Sequence, residues 1–153
     1  ATLPYFSKGN FRIRSHKYSY NGSVASKNKI DLIKYAFQFL NAPYLWGGKS
    51  ILGIDCSGFT QQVYGLSGYN IPRDAYQQER IGKAILYENR KSSDIVFFLK
   101  NNRIHHVGIL INKNQIIHAS GKVRIDGFNE MGIIHNKSKL LTHHFHSIRR
   151  IIE

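Results

Sequence analysis

The sequence predicts an α+β domain, and three observations carry that expectation. Its 153 residues suffice for one sizeable core and are too few for two catalytic domains. Apolar residues recur at helical 3-4 spacing in the first half of the chain, whereas continuous or alternating apolar runs of strand character follow Asp94. Helices first and strands afterwards is the order in which an antiparallel sheet packs against helices that precede it.

Taken in order, residues 1–26 mix aromatic and basic side chains with Gly9 and Gly22 and alternate only briefly at Phe11-Arg12-Ile13-Arg14. They read as an extended arm or as the end of a preceding domain, with the domain proper over residues 27–153. Ser26 is placed to cap a helix over residues 27–40, whose core-facing side is read from Ile30, Ile33, Phe37 and Leu40. Pro43 stops that helix, and the paired glycines of Tyr44-Leu45-Trp46-Gly47-Gly48-Lys49 mark a loop. Gly53-Ile54-Asp55-Cys56-Ser57-Gly58-Phe59 then leads into a helix over residues 60–66, with Phe59, Val63 and Leu66 on its buried face. Cys56 therefore falls at a helix N-terminus, where unpaired N–H groups and the helix dipole favour a thiolate. Gly58, in the first turn, leaves room for close approach by a ligand or a neighbouring chain. After Gly68, Ile71-Pro72-Arg73-Asp74-Ala75-Tyr76-Gln77-Gln78 reads as a turn into a short helix, with Pro72 at or near its first position. Strands are expected over residues 95–99, 106–111 and 115–118, the last two separated by a turn at Asn112-Lys113-Asn114. Weaker strands are expected over 123–125, 132–134 and 147–152.

Composition narrows the function classes. Hydrophobic residues at 42% and charged residues at 20% support a folded core rather than a disordered or fibrous chain. No stretch approaches the roughly 18 apolar residues of a membrane span. A net charge of +13 points to an anionic partner. The basic residues are scattered from Lys8 to Arg150 without a run of five, which speaks against nucleic acid and leaves an acidic membrane face or an anionic wall polymer. Cys56 is the single cysteine, so neither an intrachain disulfide nor a multi-cysteine zinc module can form.

A cysteine nucleophile needs a base and a group that orients the base. In a hairpin with a three-residue turn at residues 112–114, Ile111 faces Gln115 and Gly108 faces His118. His106 and His118 then share a face as diagonal neighbours, whereas a two-residue turn pairing Asn112 with Gln115 would put them on opposite faces. His105 has the opposite parity to His106 and receives no role. His143-His144-Phe145-His146 lacks a nearby carboxylate or cysteine and reads as a solvated loop rather than a metal site.

Tyr44-Leu45-Trp46-Gly47-Gly48, Asp55-Cys56-Ser57-Gly58-Phe59, His106-Val107-Gly108-Ile109 and Ile117-His118-Ala119-Ser120, in this order, resemble the motifs of the NlpC family of papain-like bacterial cell-wall cysteine peptidases. Pro72-Arg73-Asp74-Ala75-Tyr76-Gln77-Gln78 and Ser120-Gly121-Lys122-Val123-Arg124-Ile125 further resemble the subgroup that cuts between D-glutamate and the diamino acid of stem peptides. The resemblance covers roughly residues 27–152 and implies a papain-like fold, its nucleophile at a helix N-terminus, acting on peptidoglycan in the cell envelope or in cytoplasmic recycling. It implies Cys56 as nucleophile, His106 as base, His118 as the residue orienting it, and Tyr44 beside the oxyanion. Asp55, Ser57, Trp46 and Arg73 would face the substrate, Asp55 binding a free amine and Arg73 a carboxylate. No metal or organic cofactor is required by such a mechanism. Ser92-Ser93-Asp94 departs from the pattern, since many relatives carry Gly before the Asp. Two other readings stay open: an amidase or acyltransferase on another amide, and a non-catalytic basic wall-binding module.

Overall fold

The computed structural model describes the backbone of residues 8–13, 16–21 and 29–152 and the side chains of residues 32–152. Strands β1 (Lys8–Ile13) and β2 (His16–Asn21) form an antiparallel hairpin within the stretch read as an arm. The expected Ser26 cap lies outside the described residues. Three helices follow: α1 (Lys29–Gln38), α2 (Cys56–Leu66) and the short α3 (Ala75–Gln78). Between α1 and α2, β3 (Lys49–Ser50) and β4 (Gly53–Ile54) make a small ribbon that sequence periodicity does not reveal. The rest is a seven-stranded sheet of β5 (Lys83–Ile85), β6 (Ile95–Lys100), β7 (Arg103–Asn112), β8 (Gln115–Ser120), β9 (Lys122–Asn129), β10 (Gly132–Ile134) and β11 (Leu141–Arg150).

The α+β order is as expected, but the sheet is more than a flat layer. β10 pairs with both β9 and β11, so β6 to β11 close into a ring, with β5 added at the end of β11. Closure explains why Ile95-Val96-Phe97-Phe98 is apolar without alternation: both of its faces are buried. Ile95 and Phe97 join Val107, Ile109, Ile117 and Ala119 against Leu32, Ala36 and Phe39 of the α1 region and Phe59, Val63 and Tyr64 of α2. Val96 and Phe98 face inward with Leu110, Ile116, Phe128, Ile133 and Ile148, a second core inside the ring. Burying one such side chain contributes on the order of 1.5–3 kcal/mol.

Two details of the packing depart from the sequence expectation. The buried side of α1 carries Leu32 and Ala36, continued by Phe39, while Phe37 and Leu40 are exposed. The apolar face is turned by about one position, because Phe39 meets Phe59 edge to face at 5.9 Å and Ala36 lets the helix approach closely. Asp74 is the N-cap of α3, so Pro72 lies ahead of the cap rather than at or near the first helical position, Ala75.

Candidate active site

The site is assembled where the N-terminus of α2 meets one end of the ring. Asp55 caps α2, its Oδ1 accepting from the Gly58 N–H at 2.6 Å, while Oδ2 accepts from the Gly47 N–H at 2.8 Å. One carboxylate thus ties the glycine loop to the helix that begins with Cys56. Arg73 completes the clamp: Nη2 donates to Asp55 Oδ2 at 2.5 Å and Nη1 to Ser57 Oγ at 2.8 Å. Burial raises the Asp55 pKa, but the Arg73 hydrogen bond and the two backbone donors outweigh it and hold the carboxyl below its usual range. Gln78 of α3, fully buried, braces the same turn by donating to the Ser57 and Pro72 carbonyls at 3.0 and 2.8 Å while accepting from Thr60 Oγ1.

Cys56 is buried, and burial together with the neighbouring Asp55 charge pushes its thiol up to about 11. The helix N-terminus alone favours a thiolate; here desolvation wins, and the thiol rests neutral. To act as a nucleophile, such a thiol would need a base beside it.

The sheet positions two histidines beside it. Phe98 pairs with His106 and Gly108 with His118, which puts both imidazoles on the inner face of the ring. The expected Gly108–His118 pairing holds, but not through the turn expected: Asn112 pairs with Gln115 across a two-residue turn, and a bulge at Ile111 restores the register. His106 Nε2 lies 2.8 Å from His118 Nδ1, and His118 Nε2 lies 3.0 Å from Asp126 Oδ2. A second bulge between Phe98 and Leu99 changes the parity at His105, which lines the cleft instead of facing away. His143, expected in a loop, lies on β11, and its ring stacks on His106 at 4.1 Å and 28°. Its neighbours His144 and His146 are exposed and take no part. Among the described residues no group of His, Cys, Asp or Glu is arranged to hold a metal ion.

Burial first, then the surrounding histidines, lowers the His106 pKa well below 6.5, and burial also lowers that of His118. At neutral pH His106 is a neutral acceptor, as a general base must be. Asp126 works against burial: the His118 hydrogen bond, the Asn136 N–H at 2.9 Å and the charges beside it hold its carboxyl at about 2. Sequence reading missed both Asp126 and His143. Asp126 was detectable in principle, because a hairpin centred on Gly121 pairs His118 with Arg124 and sets Asp126 on the same face two residues on. His143 gives no such local signal; the pairing of β11 with β6 brings it in from the far end of the domain.

Two adjoining hollows open on Cys56. The larger, ≈ 440 Å³, is bordered by Trp46, Asp55, Ser57, Arg73 and Tyr76. The smaller, ≈ 230 Å³, is bordered by Tyr44, His105, His106, Ser120 and His143. Tyr44 is held by its N–H to the Gly121 carbonyl at 3.0 Å, and burial with the Cys56 and Asp55 charges raises its pKa, keeping the phenol protonated as a donor. Trp46, 83% exposed, borders both hollows. Of the eight residues singled out from sequence, seven line this cleft and His118 stands directly behind His106.

Comparison with known proteins sets the chain in a family context. A family model described as NlpC/P60 family matches residues 41–146. A γ-D-glutamyl-L-lysine dipeptidyl-peptidase of Bacillus subtilis is 40% identical over 92 residues, covering 58% of this chain and 31% of that protein. A murein DD-endopeptidase MepS/murein LD-carboxypeptidase of Escherichia coli is 40% identical over 90 residues, covering 57% of this chain and 48% of that protein. The crystal structure of an NlpC/P60 family protein from Bacillus cereus superposes with a TM-score of 0.74 at 30% identity, over 92% of this chain and 46% of that one. The matched region thus spans 31% and 48% of these two curated relatives, less than half of each.

Proposed function

The chain belongs to the NlpC/P60 family, and on that premise we propose that it is a cysteine endopeptidase of bacterial peptidoglycan, hydrolysing the bond from γ-D-glutamate to the diamino acid of the stem peptide. The observation that carries this reading is Cys56 sharing a cleft with His106, whose far nitrogen is engaged by the His118–Asp126 pair.

In the proposed reaction the Cys56 thiol gives its proton to His106 Nδ1 as Sγ attacks the γ-carbonyl carbon. The Tyr44 hydroxyl and the Cys56 backbone N–H donate to the oxyanion. Collapse breaks the C–N bond, and His106 returns the proton to the departing amine of the diamino acid, leaving a thioester on Sγ. His106 then takes a proton from water, whose oxygen displaces the thiol to release the D-glutamyl acid; the proton goes back to the thiolate. The leaving amine sits on the His106 side, so the smaller hollow takes the diamino acid and the larger one takes L-Ala-D-Glu. In the larger hollow the Asp55–Arg73 pair presents both signs of charge, Asp55 to the free amine of L-Ala and Arg73 to the α-carboxylate of D-Glu. Both the family and the +13 charge fit work at the cell envelope, with wall retention that weakens as salt screens it.

The test is incubation with L-Ala-γ-D-Glu-diamino acid tripeptide and its N-acetylated form, with products read by mass spectrometry. Release of L-Ala-D-Glu from the free-amine peptide alone supports the reading, and Arg73→Ala should raise KM more than it lowers kcat. Cleavage of neither peptide would refute it in favour of another amide substrate or a wall-binding role.

A further inference from the structure

The hydrogen-bond chain behind the base carries information about where its protons sit. A carboxylate can only accept, so Asp126 Oδ2 at 3.0 Å requires that His118 carry its proton on Nε2. His118 Nδ1 is then an acceptor, and His106 Nε2 at 2.8 Å must be the donor to it. His106 Nδ1 is left with a free lone pair, the atom that must take the thiol proton. Asp126 is itself fixed: it is 1% exposed, Arg124 Nε donates to Oδ2 at 2.8 Å, and the Asn136 N–H donates to Oδ1 at 2.9 Å.

We propose that Asp126 is a positioning residue that sets the tautomers of both histidines in series, so that His106 presents a bare Nδ1 to Cys56. Asp126 touches neither thiol nor substrate; it acts two hydrogen bonds away. The consequence for turnover rests on the peptidase reading above, whereas the tautomers themselves do not.

Asp126→Asn separates charge placement from shape. Its amide has one acceptor where the carboxylate has two. Arg124, 24% exposed, can turn to water, but the Asn136 backbone N–H cannot. The amide oxygen therefore stays with Asn136, and the NH2 faces His118. His118 must then accept at Nε2 and donate from Nδ1, which moves the His106 proton onto Nδ1 and blocks the base. The analogous Asp→Asn change in a serine-protease triad leaves the geometry intact and lowers kcat by about 10⁴ through the wrong tautomer.

The experiment has two arms. Nitrogen NMR of Cys56→Ala at neutral pH, where no thiolate can form, should show Nε2–H on both His106 and His118, and adding Asp126→Asn should move both protons to Nδ1. With the tripeptide substrate, Asp126→Asn should lower kcat by about 10³–10⁴ and leave KM within about twofold. In a His118→Asn background, where the side-chain oxygen accepts from His106 without help, Asp126→Asn should cost less than tenfold. Nδ1 protons in Cys56→Ala, unmoved protons in the double variant, or near-normal kcat in Asp126→Asn would each overturn the proposal. If Asp126→Asn does not fold, the tautomers of Cys56→Ala decide alone. If wild type turns over no tripeptide, the NMR arm still tests Asp126 while the peptidase reading fails separately.

Discussion

The stacked histidines make the domain sensitive to mild acid, by an amount that can be worked out. Burial, then the His118 and His105 charges, lowers the His143 pKa from 6.5 to about 4. The sign follows from linkage: the unfolded state binds this proton first, so the stability is complete above pH 6.5 and is lost as pH falls toward 4. At pH 4.5 the difference in proton binding amounts to about 2.6 kcal/mol, discounted to about 2 kcal/mol because the ring is partly exposed. His143→Phe keeps a flat ring against His106 and removes the titration. Urea unfolding at pH 7.0 and 4.5, followed by circular dichroism since Trp46 is already exposed at 83% and reports little, should show wild type losing about 2 kcal/mol more than the variant. His106 and His118 are held low mainly by burial in both proteins; the His143 ring adds to the lowering at His106, so its removal relieves that share as well and acts in the same direction. Equal losses would mean that His143 titrates as a solvated imidazole, and the stacked geometry would be refuted.

Three further outcomes follow from particular contacts. Ser93 sits at φ 71° with its Oγ buried and without a hydrogen-bond partner, so Ser93→Gly should stabilise the fold by about 1–2 kcal/mol in urea unfolding; a loss would contradict this. A Cβ on Gly58 would overlap the Gly48 carbonyl oxygen, so Gly58→Ala should destabilise by about 1–3 kcal/mol, where an unhindered helical glycine would gain. With its thiol at about 11, Cys56 should react with iodoacetamide at pH 7 about 20-fold more slowly than free cysteine, the loss of thiolate being partly offset by its greater nucleophilicity; a fast rate flat from pH 5 to 8 would show a resting ion pair instead.

The parts of the site legible in the sequence are those set by local rules. Asp55 ahead of Cys56 is an N-cap signal, and the structure has the capped helix. His106 and His118 follow from strand alternation, although the facing register is reached through a tight turn plus a bulge, and a bulge leaves no mark in residue spacing. His105 shows the same limit: parity assigned it outward, and one extra residue opposite Phe98 and Leu99 turned it into the cleft. The face of α1 was ambiguous because two apolar sets lie one step apart, and only packing against Phe59 on α2 selects between them. His143 depends on the pairing of β11 with β6, strands more than forty residues apart, so no local pattern could place it beside His106.

In the proposed reaction the Cys56 sulfur carries the D-glutamyl acyl group between the two halves of turnover. Mixing the protein with L-Ala-γ-D-Glu-diamino acid tripeptide, quenching in acid on the millisecond-to-second scale and measuring intact mass tests it directly. The predicted result is a transient adduct equal to L-Ala-D-Glu less one water, mapped to Cys56 and absent from Cys56→Ala. Product release by wild type with no adduct at any time, or unchanged release by Cys56→Ala, would contradict it.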